Sequence, residues 1–380
     1  MTSLFITHYA GFYGANKSLL TLMLLLREKY GVRPLVLLPT EGPMCNELQK
    51  AGIEYKVSHY YWWVNYNHGV FQWMLNKRKQ WRNLFRIKRL CALFSNEPVD
   101  LIYTNSVCVN VGAFMAKRMR VPHIWQFRES LSLFSLSLSL SLSRRMLTSV
   151  VNKRFILISD YMMDYYKPYL PVNRMVRIYN GIDVPKGMER KSENKLGERL
   201  QIACVGILSE QKNQLELLKA QRLLLQRNVL VETWFVGSGK KDYFEKVQDY
   251  VEANGMQKWV HFVGHSNQVF SILQRMNLGV VAANDEAFGR VTVEYMLMRM
   301  PVVASRSGAN SELIEVGVTG DTYEYGNVEE LADKIEIYVK HPELLEIQGT
   351  VAARKAVEGF SAESNAKMIY EQIENVIKED

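Results

Sequence analysis

The stretch LGVVAANDEAFGRVTVEYMLMR, residues 278–299, says more about the architecture of this 380-residue chain than any other. The apolar run Leu278–Ala282 reads as a buried strand, and a helical pattern then continues to Arg299. Between them Glu286 sits in the loop at the strand's carboxyl end, and Gly289 lets the backbone approach a ligand where the helix begins. Free amides and the helix dipole favour an anion there. Glu294, eight positions after Glu286 and about one turn into the helix, is placed where it can reach a hydroxylated ligand at the same end. On spacing alone the pair also fits two surface carboxylates near a helix start.

Outward from this stretch, short apolar runs alternate with helical segments. Leu200–Val205, Glu232–Val236, Val260–Val263 and Pro301–Ala304 read as strands, as do Leu4–Tyr9, Val32–Leu38, Leu101–Asn105, His123–Phe127 and Phe155–Ser159 in the front half. That alternation belongs to parallel sheets. The length exceeds the ~250–300 residues at which single cores stop growing. The prediction is an α/β protein of two Rossmann-like domains, residues 1–182 and 183–361, joined through Asn180, Gly181, Pro185 and the polar run 186–198. Open parallel sheets bind ligands beyond the carboxyl ends of their strands, so the two domains are expected to face each other across a ligand-binding cleft.

Composition narrows the class. A hydrophobic share of 48% with 23% charged residues is that of a globular protein. The apolar run Leu19–Leu26 follows a strand and a loop that a signal peptide has no reason to carry, and no run reaches the ~18 apolar residues of a spanning helix. Cys45, Cys91, Cys108 and Cys204 lack the close spacing of a zinc or redox site, which points to reduced thiols in a cytoplasmic protein. Charge is divided unevenly: residues 1–180 hold 24 Lys and Arg against 9 Asp and Glu, the remainder 23 against 30. The front half is therefore expected to meet something anionic, such as a membrane surface, a phosphorylated acceptor or nucleic acid.

Two segments depart from the pattern. From Tyr55 to Asn96 there is no acidic residue, while Lys56, Lys77, Arg78, Lys79, Arg82, Arg86, Lys88 and Arg89 alternate with Trp62, Trp63, Trp73 and Trp81. This is the composition of a helix in a lipid headgroup layer, of a solvated basic helix whose aromatic residues face the core, or of a surface that meets nucleic acid. Ser130–Ser143 nearly alternates serine and leucine and reads as a flexible active-site or membrane-facing loop, or as a poorly ordered connector.

The segment Glu286-Ala287-Phe288-Gly289-Arg290-Val291-Thr292-Val293-Glu294 resembles the E(x7)E signature of the retaining GT-B glycosyltransferases of family 4. Further segments follow in the family's order: Val205-Gly206 with Lys212, Val236-Gly237-Ser238-Gly239, Val263-Gly264, Pro301-Val302-Val303 and Gly308 with Glu312. Tyr179–Asp183 resembles the interdomain hinge. The resemblance implies sugar transfer from a nucleotide-sugar, with UDP as the expected base and no cofactor. It assigns Glu294 to the ribose hydroxyls, Glu286 to the donor sugar, backbone amides near Phe288 and Gly289 to sugar or phosphate, and Lys212 to the diphosphate. Gly206, Gly237 and Arg290 join the donor site. Gly11, Gly14, Ala15 and Asn16 form a loop before a helix from about Lys17, with Gly14 near the donor phosphate and acceptor. Where many members carry an active-site histidine this chain has Arg128 and Glu129, and His123 is not assigned to the site. A C-terminal helix, about Ala362–Ile377, is expected to return to the front domain.

Three positions differ from the family pattern. Ile207 stands in place of a phosphate-binding arginine, Arg299 in place of a glycine, and Ala309 in place of the second glycine after Pro301. Lys212 is thus the main cation, unless Arg128 or Arg290 swings in. No DxD triplet occurs, so transfer without a metal ion is expected. The expected acceptor is a glycan carried on a lipid at an anionic inner membrane face, in the assembly of a bacterial surface polysaccharide. The alternatives are a nucleotide-sugar epimerase and a catalytically silent nucleotide-sugar-binding scaffold; no nucleic-acid-reading module is recognisable.

Overall fold

Among the described residues, every pair of neighbouring strands is parallel. The computed structural model describes residues 1–63, 70–130, 145–190 and 193–379. The Ser/Leu-rich segment therefore lies, beyond Ser130, outside the described residues. The chain divides into two compact units, Met1–Gly181 with Ala362–Asp380, and Ile182–Ser361.

The first unit contains β1 (Thr2–Ile6), β2 (Arg33–Leu38), β3 (Glu54–Val57), β4 (Leu101–Thr104), β5 (His123–Phe127), β6 (Asn152–Leu157) and β7 (Met175–Arg177). Their order in the sheet is β3-β2-β1-β4-β5-β6-β7. Helices cover both faces, so central strands are buried along their length instead of alternating between buried and exposed positions. All five residues of β1 are buried: Leu4 and Ile6 join one core with Leu35 and Ile102, and Phe5 joins the other with Leu19, Val36 and Ile369. Each such aliphatic side chain contributes about 1.5–3 kcal/mol by leaving water.

The last helix, Ala362–Lys378, returns to this unit. Ala366, Ile369, Ile373 and Val376 recur at helical spacing and pack into the same core as helix Gly14–Tyr30, where the Tyr30 and Tyr370 rings stack 4.3 Å apart. Gly181 allows the return to pass closely, since a Cβ there would lie 2.5 Å from Ala362 Cα. Asn365 Nδ2 donates to the Tyr179 carbonyl at 2.6 Å.

The second unit contains β8 (Leu200–Val205), β9 (Val231–Val236), β10 (Val260–Gly264), β11 (Leu278–Val281), β12 (Val302–Ser305) and β13 (Gly320–Tyr323), in the order β10-β9-β8-β11-β12-β13. In both sheets the direction of winding reverses beside the first strand, at β1/β4 and at β8/β11. A crevice opens beyond the strands at such a reversal. Lys212 follows β8 and Glu286 follows β11, so they stand on the two sides of it.

Candidate nucleotide-sugar site

Three glycine-bearing turns build the floor of the site in the second unit. The Gly206 amide donates to the Val236 carbonyl at 3.0 Å, Leu208 to Ser238 at 3.1 Å, and Gly237 to Gly264 at 2.9 Å. The turns after β8, β9 and β10 are thereby laced together. Their glycines answer to contact as well as conformation: Gly237 has φ +149, and a Cβ there would lie 2.0 Å from the Gly206 carbonyl oxygen. The side chain of Ile207, between them, is 58% exposed.

The loop after β11 is fixed on both sides. The Asp285 amide donates to Ser307 Oγ at 2.7 Å, the Ala309 amide to the Glu286 carbonyl at 2.7 Å, and the Asn284 amide to the Gln211 carbonyl at 2.8 Å. Gly308 lies against Glu286, where a Cβ would come within 2.2 Å of its carbonyl oxygen. Ala309 has φ −75 and needs no glycine.

Held this way, Glu286 reaches Lys212: Nζ donates to Oε2 at 2.5 Å, and the Gly289 amide donates to Oε1 at 3.3 Å. Lys212 itself follows a tight turn in which its amide donates to the Ser209 carbonyl at 3.0 Å. Gly289, at φ +90, precedes the helix Arg290–Leu297 and brings that helix's amino end to the carboxylate. Lys212, Glu286, Gly289 and Thr292 line one small cavity of about 20 Å3. A cation, a carboxylate and a helix amino end converge there.

One turn on, Glu294 accepts from Arg290 Nε at 2.8 Å and is 9% exposed. Phe288 is 2% exposed and meets Phe360 edge-on at 6.0 Å. Its ring is an anchor, and its backbone is the part left to meet a ligand. The helix ends at Leu297, short of the expected Arg299, which adopts φ +55. A glycine takes that conformation without strain; Arg299 instead pairs its guanidinium with Glu346 and donates to Thr350 Oγ1 at 2.9 Å.

Two residues here escaped the sequence reading. Tyr295, fully buried, accepts a hydrogen bond at its hydroxyl from the Val205 amide at 2.7 Å, and its ring covers Gly279, where a Cβ would lie 2.1 Å away. The pair locks the Glu294 helix to β11 and to the end of β8. Only the lone glycine inside an apolar strand hinted at a close approach.

In the first unit, the loop after β1 differs from expectation. Asn16 donates to the carbonyls of Tyr9 and Gly11 at 2.9 and 2.7 Å, and accepts from Thr7 Oγ1 at 2.5 Å. The loop is folded tightly, so the helix begins at Gly14 and not at Lys17, and Gly14–Asn16 form its first turn. Arg128 is bound by three amide oxygens, Asn105 at 2.7 Å, Asn180 at 2.5 Å and Gln126 at 2.8 Å. Glu129, whose pKa burial raises, accepts from Ser106 Oγ at 2.9 Å and lies 3.7 Å from His8 Nε2. Burial and then Arg128 hold His8 down at about 3, a neutral imidazole. His123 is buried between Thr104 and Asn152 at 2.7 Å each, a structural residue.

Comparison with known proteins bears on both units. The family described as Glycosyltransferase Family 4 matches residues 14–186, and Glycosyl transferases group 1 matches residues 186–356. An uncharacterized glycosyltransferase of Methanocaldococcus jannaschii is 25% identical over 68% of this chain and 70% of its own. The lipopolysaccharide core biosynthesis mannosyltransferase LpcC of Rhizobium leguminosarum bv. viciae is 30% identical over 44% of this chain and 49% of its own. Among solved structures, Anabaena HepE in complex with UDP is 21% identical and superposes with a TM-score of 0.80, covering 99% of this chain and all of its own. HepE has also been solved with UDP-glucose.

Proposed function

The chain belongs to the family 4 glycosyltransferases, of GT-B fold, and on that premise we propose that it moves a sugar from a UDP-sugar to a lipid-linked glycan, with retention at the anomeric carbon and without a metal ion. The observation that carries the reading is the junction of Lys212, Glu286 and the Gly289 amide, with Glu294 one turn on.

In this reading the acceptor hydroxyl oxygen bonds to the anomeric carbon on the face from which the diphosphate leaves. The bond to the diphosphate breaks, and the acceptor's proton passes to the departing phosphate oxygen. Negative charge grows on the diphosphate, where Lys212 and the amides around Gly289 stabilise it. The resting pair with Lys212 holds Glu286 in place for the donor sugar. Glu294 takes the ribose hydroxyls, Gly206 and Gly237 let the backbone approach the nucleotide, and Arg290 steadies Glu294. In the first unit Gly14 offers a helix amino end, and Arg128 holds the loops after β4 and β5. The basic front half supports work at the inner face of the plasma membrane, and the likeness to LpcC supports a surface-polysaccharide setting.

A second reading, a silent nucleotide-sugar-binding protein, draws on the exposed Ile207 and on the amide oxygens that hold Arg128. The test that separates them is incubation with a panel of UDP-sugars, EDTA and bacterial lipid extract, with Lys212→Ala as control. A product whose anomeric coupling in NMR matches the donor supports retaining transfer. UDP binding with neither transfer nor hydrolysis for any donor favours the silent protein.

A further inference from the structure

Among the described side chains of helix Val70–Ala92, apolar residues lie on two faces, one packed into the core and the other exposed. Asn83, Ile87 and Leu90 are buried at helical spacing, with Ile87 and Leu90 in the first unit's core and Asn83 bonded to Tyr61. Trp81 and Phe85 lie two positions before Asn83 and Ile87, about 200° round the axis. They are 58% and 81% exposed, and Met74, on the same side, is 51% exposed. The sequence had left open that these aromatic residues face the core. Trp63 does, fully buried, whereas Trp81 and Phe85 face away.

The cations flank this outer stripe. Arg82 and Arg86 turn aside to Tyr61, each 5.3 Å from its ring centroid. Arg78, Lys88 and Arg89 are exposed beside Trp81 and Phe85, and the helix carries no acidic residue. Trp81 and Leu84 also line a groove of about 270 Å3 with Phe114 and Val151, to which Lys117 and Arg145 contribute two more positive charges. A solvated helix has no use for two aromatic rings opposite its core face, and a nucleic acid has no use for the apolar floor of the groove beside them. A layer of anionic headgroups over hydrocarbon satisfies the cations and the apolar stripe together.

We infer that the outer face of helix Val70–Ala92 is the surface on which the protein seats on an anionic phospholipid bilayer, with Trp81, Phe85 and Met74 entering the headgroup layer and the groove beside Leu84 taking hydrocarbon. This deepens the membrane part of the proposed function and rests on that reading only for its biological setting.

The test is flotation of the full chain with vesicles of phosphatidylcholine alone or in equal mixture with phosphatidylglycerol. Two variants accompany it, Trp81→Ser with Phe85→Ser, and Arg78→Gln with Lys88→Gln and Arg89→Gln. All five residues are exposed, so melting temperature and its rise with UDP stay as in the wild type. The wild type floats with the anionic vesicles and not the neutral ones. Partitioning falls about fivefold for each cation removed, and about tenfold or more in the aromatic variant. No flotation, or flotation that ignores the aromatic pair and is abolished by competing duplex DNA, overturns the inference. The UDP response is read separately: a protein that floats yet ignores UDP keeps this docking surface and loses the donor reading.

Discussion

Lys212 and Glu286 are 74 residues apart in sequence and 2.5 Å apart at their charged ends, one beyond β8 and the other beyond β11. The pair bridges the point where the sheet reverses its winding. If Lys212 stabilises charge on a departing diphosphate, its effect is largest as the sugar leaves. Lys212→Ala should therefore lower kcat by about 10²–10³-fold, with a smaller loss of UDP affinity, and Lys212→Arg should recover part of the rate. Steady-state kinetics on the best donor reads both.

Tyr295 tests the scaffold behind the site. Its hydroxyl accepts from the Val205 amide, next to Gly206. Tyr295→Phe keeps the ring over Gly279 and strands that amide, at a cost of about 1–3 kcal/mol. Chemical denaturation should show that loss, accompanied by weaker UDP binding because the Gly206 turn loses its tether.

Gly237 and Gly255 both have positive φ, yet only the first is closed in. A Cβ at Gly237 would meet the Gly206 carbonyl at 2.0 Å, whereas nothing lies within 4 Å of one at Gly255. Gly237→Ala should cost about 3 kcal/mol or more through strain and clash together; Gly255→Ala should cost about 1 kcal/mol. Equal losses in denaturant midpoint would show that close packing of these turns is not what demands the glycine.

His123 makes the first unit sensitive to acid. Burial lowers its pKa from 6.5 to about 4, against a smaller upward pull from Asn152. Below pH 6.5 the unfolded chain binds a proton that the folded chain refuses. The resulting stability, about 3 kcal/mol, is present above pH 6.5 and is lost as pH falls towards 4. His123→Gln keeps polar atoms for Thr104 and Asn152 but does not titrate. Its stability should fall less steeply than that of the wild type over this window.

Legibility in the sequence followed burial. Central strands such as β1, β4, β8 and β11, largely buried and mostly apolar, stand out as runs, and the turn chemistry beyond them marks Glu286, Gly289 and Glu294. The strands missed, β3, β7 and β13, are short sheet edges: Glu54–Val57 is nowhere fully buried, and Met175–Arg177 has three residues. Edge strands need little apolar surface and leave little pattern. The start of helix Gly14–Tyr30 was missed because Asn16, of a residue type disfavoured inside helices and favoured at their caps and in turns, folds the preceding loop with its side chain. The contact of Tyr295 with Gly279 and Val205 is tertiary, and a tyrosine on a helix carries no sign of what it covers.

Calorimetric titration of UDP, in EDTA, into the wild type and Glu294→Ala tests the donor site most directly. The account predicts saturable binding to the wild type and about 10–100-fold weaker binding to the variant, the loss of charge-assisted hydrogen bonds to the ribose. Absence of binding by the wild type, or equal binding by the two proteins, would contradict it.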